Sequence, residues 1–130
     1  MLAAAIFRSD PVLVTRVTDG DTITVASIGT VTLLGIEAAP TPRARERLEA
    51  LVVRRWVRLE TDDPARAASL HRAYVMLETG EFVNATMVRE GLARVSTRGR
   101  FARRAELECA QQEAQRFQRG IWARYTPERP

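Results

Sequence analysis

Val12, Val14 and Val17 precede an acidic turn, and Ile23 and Val25 follow it. The stretch PVLVTRVTDGDTITVAS therefore predicts two strands joined at Asp19-Gly20-Asp21. GTVTLLGI predicts a third strand, opened by a turn at Ile28-Gly29, so that the three form a meander. Thr41 and Pro42 read as the N-cap and first position of a helix. Leu48, Leu51 and Val52 give it one apolar face between Arg43 and Arg55. WVRLET alternates as a fourth strand, DDPARAASL is a loop, and HRAYVMLET is a fifth strand closed by Gly80. EFVNATMVREGLARV predicts a short helix with Val83, Met87 and Val88 on one side and Gly91 as its C-cap. A longer helix is predicted from Arg100 to Arg119, with Phe101, Ala105, Ala110, Ala114 and Phe117 on its apolar face and Gly120 at its end. The tail IWARYTPERP packs Ile121 and Trp122 back onto the body and leaves Tyr125 free.

The order is three strands, a helix, two strands and two helices, with no internal repeat or low-complexity segment. That order specifies an α+β fold, a five-stranded OB-type β-barrel with three α-helices. A chain of 130 residues, 45% hydrophobic, fills one core of modest size. The expected layout is an N-terminal extension over 1–11, a domain over 12–122 and a C-terminal tail over 123–130. Trp56, Tyr74 and Trp122 are assigned to the core, and Cys109 is expected to pack within its helix.

Net charge is +4, and all 20 basic residues are Arg. A basic balance suits nucleic acid or an acidic surface, and the planar guanidinium suits phosphate. Arg94, Arg98, Arg100, Arg103 and Arg104 form a dense run, and Arg54, Arg55 and Arg58 a smaller one. Each run reads equally as a solvated face or as a patch for phosphate or an acidic partner. One Cys rules out an internal disulfide, and one His all but removes a His/Cys zinc site. No apolar run reaches the length of a membrane span, and MLAAAIF is too short and lacks the basic start of a signal peptide. The compartment stays open between a bacterial cytoplasm and an extracytoplasmic place for a trimmed secreted or anchored protein. Oligomeric state is open too.

VTRVTDGDTITV, VTLLGIEAAP, AYVMLETGEFVNATMVREGLARV and QEAQRFQRGIW together resemble the staphylococcal nuclease (thermonuclease) domain family over about residues 12 to 122. The resemblance implies an OB barrel with three helices and Ca²⁺-dependent hydrolysis of DNA and RNA phosphodiester bonds. Such chemistry takes metal-binding carboxylates, a glutamate that activates water and two arginines that stabilise the transition state. Gly35 and Ile36 set the register on the third strand. By that resemblance Thr32 stands at the first catalytic Arg, Glu37 at a metal-binding Asp and Pro40 at the catalytic Glu. Counting back from Ala73-Tyr74 puts Leu70 at the second Arg, with Arg72 two residues on as a substitute on the same strand. Asp21 matches a metal ligand and Asp19 the DGD pattern. STRGR lacks the family's nucleotide-holding tyrosines, and the loop after Pro40 is short. Asn84 falls at a structural Asn that buttresses backbone.

Three readings follow. The first is a domain that has lost phosphodiesterase activity and is kept for binding single-stranded nucleic acid or an acidic protein, with no cofactor required. The second is a divergent metal-dependent nuclease, with Ca²⁺ or Mg²⁺ on Asp21 and Glu37, charge stabilisation by Arg72 and a base still to be found; Glu46 and Glu49 are helix carboxylates to weigh for that role. The third is a structural module of a larger assembly. His71, a lone histidine, is read as having no catalytic part.

Overall fold

A computed structural model describes residues 7–62 and 70–124. The expected meander forms as β2 (Val12–Asp19), β3 (Thr22–Val25) and β4 (Gly29–Leu33). In β3 and β4 every second side chain, Ile23, Val25, Val31 and Leu33, is buried, as a sheet with one core face requires, while in β2 the buried Val14 and Val17 are three apart. Two register shifts in β2 bend it, the second between Val17 and Asp19, beside the acidic turn. Helix α1 (Pro42–Val52) starts at its expected cap, where the Ala44 amide donates to Thr41 Oγ1 at 3.3 Å. Strands β6 (Trp56–Thr61) and β7 (Arg72–Leu77) complete the barrel.

The ring runs β2-β3-β4-β7-β6 and closes because β6 pairs with both β7 and β2. All its pairings are antiparallel except β4 with β7, which is parallel, with Thr32 opposite Arg72 and Leu33 opposite Ala73. A parallel pair needs a crossover connection. Here α1 and β6 supply it. The architecture is the α+β OB barrel with three helices that the sequence predicts.

Three short strands escape the hydrophobic pattern. Strand β1 (Phe7–Arg8), inside the predicted extension, pairs with Glu60 and Thr61 of β6, and Ser9 zips onto Leu59 through its backbone amide at 2.8 Å and its hydroxyl, which accepts from the Leu59 amide at 2.9 Å. Strands β5 (Ile36–Ala38) and β8 (Ala93–Val95) pair with each other, setting Glu37 opposite Arg94. Between them, α2 (Val83–Arg89) is buried almost all round and turns out of the helix at Gly91, whose φ is +74°. A Cβ there would run into the Arg119 carbonyl, so the chain after the last helix seats itself on a bare glycine, with the Ile121 amide donating to the Gly91 carbonyl at 2.8 Å.

Helix α3 (Arg104–Arg116) begins four residues later than the spacing suggests, because the chain through Gly99 (φ +76°) is a loop. Its buried face is Leu107, Ala110 and Ala114; Ala105 and Phe117 are exposed. Cys109 lies off that face and is exposed, against the expectation that it packs. Trp56 is also exposed, since Val57 and Leu59 take the inward positions of β6 and period two sends its neighbours out. Tyr74 is fully buried, as expected, while Ile121 is exposed and Trp122 half-buried. Most of the predicted 62–70 loop, and Tyr125 with the end of the tail, lie outside the described residues. Among the described residues no helix is long and apolar enough to cross a membrane.

Candidate nucleic-acid cleft

One end of the barrel opens into a cleft of about 810 Å³ where the start of β3, the parallel pair β4–β7, β5 and the loop before α3 meet. Asn84 braces it from beneath. Its fully buried side chain accepts from the Val75 amide at 2.9 Å and donates to the Leu34 carbonyl at 2.9 Å and the Ala73 carbonyl at 3.3 Å. These bonds hold the two strands that carry Thr32 and Arg72.

Asp21 enters from the β2–β3 turn. Gly20 allows the approach, because a Cβ at that position would sit 2.8 Å from the Cβ atoms of both Ala38 and Ala44. The Asp21 carboxylate accepts from the Thr22 hydroxyl at 3.1 Å and the Ala38 amide at 3.0 Å, while its own amide donates to Asp19 at 3.2 Å. Burial, and then sharing with Asp19, push the Asp21 carboxyl above the usual carboxylate range, against the pull of the Ala38 amide. Burial also raises Asp19, but hydrogen bonds with Asp21 and Thr22 outweigh it and leave that carboxyl lowered. The two acids behave as one unit with separated affinities for a proton.

On the opposite wall, Arg72 and His71 open β7. The Thr32 amide donates to the His71 carbonyl at 2.8 Å, and His71 Nδ1 lies 2.8 Å from the Thr30 carbonyl. Asp62 closes the far side, accepting from the Tyr74 hydroxyl and the Ala102 amide, both at 2.9 Å. Burial drives the Tyr74 phenol far above its ordinary value, so it serves as a donor. Arg98 and Arg100 stand on the loop over the cleft. Arg104 holds that loop in place, donating to the carbonyls of Ser96 at 3.2 Å and Gly99 at 2.9 Å with its guanidinium 4.1 Å from the Phe101 ring.

The residues singled out from the sequence thus divide. Asp21, Glu37, Thr32, Arg72, Arg98 and Arg100 line the same cleft. Asp19 supports Asp21 through the turn. Arg94 faces Glu37 at 3.9 Å. Arg103 is not part of a binding run: its half-buried guanidinium donates to the buried Glu60 at 2.7 and 3.2 Å, to Glu106 at 2.7 Å, and lies over Tyr74 and Phe82. Arg104 is a loop prop. Pro40 is exposed on the way into α1, and Leu70 is packed in the core, so neither presents a base or a cation to the cleft. Glu49 pairs with Arg45 on α1 at 3.0 Å, and Glu46 lines a separate hollow with Arg43 and Arg47.

His71, set aside in the sequence as a lone histidine, and Asp62, which the sequence did not single out, both line the cleft. Their partners, Thr30 and Ala102, lie 41 and 40 residues away, and no local pattern signals them. The carboxylates present make a poor cage for Ca²⁺, which takes about six to eight oxygen ligands. Both oxygens of Asp21 have internal donors and Glu37 is opposed by Arg94. Among the described residues, no group of three or more His, Cys, Asp or Glu side chains gathers as a metal site.

A family model described as staphylococcal nuclease homologue matches residues 31–124, from β4 to the chain just past the last helix. No curated protein matches the chain.

Proposed function

Because the chain belongs to the staphylococcal nuclease homologue family, we propose that its cleft binds the phosphodiester backbone of a single-stranded nucleic acid and has lost the hydrolysis associated with that family. One observation carries the reading. Arg72, Arg98 and Arg100 are exposed in the same cleft, and no described carboxylate pairs with any of them. The acids there are less available: both oxygens of Asp21 have internal donors, Asp62 accepts from Tyr74 and Ala102 on one oxygen while its other oxygen is buried, and Glu37 is opposed by Arg94 at 3.9 Å. What the cleft offers a ligand is therefore cationic, and a guanidinium matches phosphate as a fork of donors.

The loss of hydrolysis rests on magnitude. A missing general base typically costs about 10²- to 10⁴-fold, and a missing charge-stabilising donor about 10²- to 10³-fold. By the family resemblance Thr32, Pro40 and Leu70 stand at the arginine, glutamate and arginine positions, and neither Glu46 nor Glu49 lines the cleft. A second reading, a divergent metal-dependent nuclease, is favoured by one feature: Arg72 lies directly opposite Thr32 on the neighbouring strand, one guanidinium beside the place of another.

The deciding experiment pairs binding with cleavage. Purified protein is given labelled single-stranded DNA and RNA with Ca²⁺, Mg²⁺ or Mn²⁺, or EDTA, beside Asp21→Ala and Arg72→Ala prepared identically. Binding that weakens in Arg72→Ala, without metal-dependent cleavage, is the expected result. Metal-dependent cleavage abolished by Asp21→Ala establishes the nuclease reading instead. No binding at physiological salt removes both and points to a module that serves a protein assembly.

A further inference from the structure

We infer that the cleft selects RNA over DNA, through a hydrogen bond from a ribose 2′-hydroxyl to Nε2 of His71. The inference rests on the reading of the cleft as a phosphodiester site and names its substrate class. The Thr30 carbonyl can only accept, so the ring nitrogen 2.8 Å from it, Nδ1, carries the proton. In neutral imidazole the other nitrogen then bears a lone pair and no proton. Thr30 thereby fixes His71 as an acceptor, and His71 is exposed on the cleft wall next to Arg72 in sequence and in space with Thr32.

An acceptor is a poor neighbour for phosphate. Along a sugar–phosphate backbone every polar atom accepts, except one: the 2′-hydroxyl of ribose, which donates as well and distinguishes RNA from DNA. A cleft that presents guanidiniums for phosphates and, beside Arg72, an imidazole nitrogen held as an acceptor is complementary to a ribose-containing strand. Along a DNA backbone the same nitrogen meets only acceptors and loses its hydrogen bond to water without replacement.

The test uses three probes of one base: oligouridine, oligodeoxyuridine and 2′-O-methyl-oligouridine, each end-labelled. Binding to the full chain is read by fluorescence anisotropy in EDTA at mildly alkaline pH and constant salt. Oligouridine is expected to bind about 2- to 10-fold more tightly than either of the others, the gain of one net hydrogen bond. The methylated probe keeps the oxygen and loses the proton, so it isolates donation to His71. In His71→Ala the three probes converge while Arg72 still contributes; the residue is exposed, so the variant keeps the fold. Equal binding of RNA and DNA by the native chain, a methylated probe that binds like RNA, or a preference that survives His71→Ala overturns the inference while leaving the cleft as a phosphate site. Failure of all three probes to bind overturns the cleft itself.

Discussion

Removing the cleft arginines one at a time gives the most direct measure of what the cleft holds. Arg72, Arg98 and Arg100 are three guanidiniums on one surface with no described ion-pair partner. If each neutralises one phosphate of a single strand, log K falls against log salt with a slope of about −2, at about −0.7 per phosphate. Between about 50 and 200 mM salt the native affinity then drops about 20-fold, and that of each single alanine variant only about 7-fold. Arg45→Ala is the control, since Arg45 is held by Glu49 on α1, away from the cleft. The assay is an anisotropy titration of one labelled single-stranded oligonucleotide at four or more salt concentrations. Slopes of about −1.4 for each cleft variant, beside an unchanged slope for Arg45→Ala, match the geometry. A slope insensitive to all three cleft arginines, or lowered equally by Arg45→Ala, refutes it and moves the phosphate contacts to another face.

Other consequences concern the frame of the site. Asn84→Ala orphans the Val75 amide and the Leu34 carbonyl, and at about 1–3 kcal/mol for each buried unsatisfied group it is expected to cost about 2–6 kcal/mol in urea unfolding; a loss below about 1 kcal/mol would show that water takes over those bonds. Arg103→Ala strips both guanidinium donors from one oxygen of the buried Glu60 and leaves Arg8 on the other, so a loss of about 3 kcal/mol is expected, at the low end for a broken buried pair. Oligonucleotide binding by that variant, measured where it is still folded, should be unchanged. Asp21→Asn probes pH. The Asp21 carboxyl is raised above its unfolded value, so its ionised form destabilises the fold at neutral pH, and the cost vanishes as pH falls through the folded value towards the unfolded one. The variant should melt higher than the native chain at neutral pH, with the gap narrowing on acidification; a gap that widens instead contradicts the raised affinity for a proton. Gly91→Ala should destabilise the seat of the chain after α3, with early loss of protection in hydrogen exchange at the Ile121 amide.

Local chemistry wrote much of this molecule into its sequence. Val12 to Val25 alternate around an Asp-Gly turn, Thr41 and Pro42 cap a helix, and Gly91 ends one; each signal acts within a few residues and each element forms where it predicts. The resemblance carried by the DGD turn and the third strand also implies one site for Asp21, Thr32 and Glu37, and the three line the same cleft. What it could not supply was everything decided by a distant partner. Strands β1, β5 and β8 are two or three residues long, too short for a periodicity, and exist because another strand's edge is free beside them. Trp56 and Cys109 have apolar character but fall on outward positions, because a sheet face and a helix face are chosen by what packs on them. Within one run of arginines, Arg98 and Arg100 face the cleft, Arg104 ties down their loop and Arg103 neutralises a buried glutamate 43 residues away. Sequence gave all four the same charge. Folding divided their roles, because a charge near a surface keeps its solvent and stays available to a ligand, whereas a charge drawn towards the core must find its counter-charge there. The same holds for His71: its identity was plain in the chain, but its ring met the Thr30 carbonyl, 41 residues away, only when β7 came alongside β4.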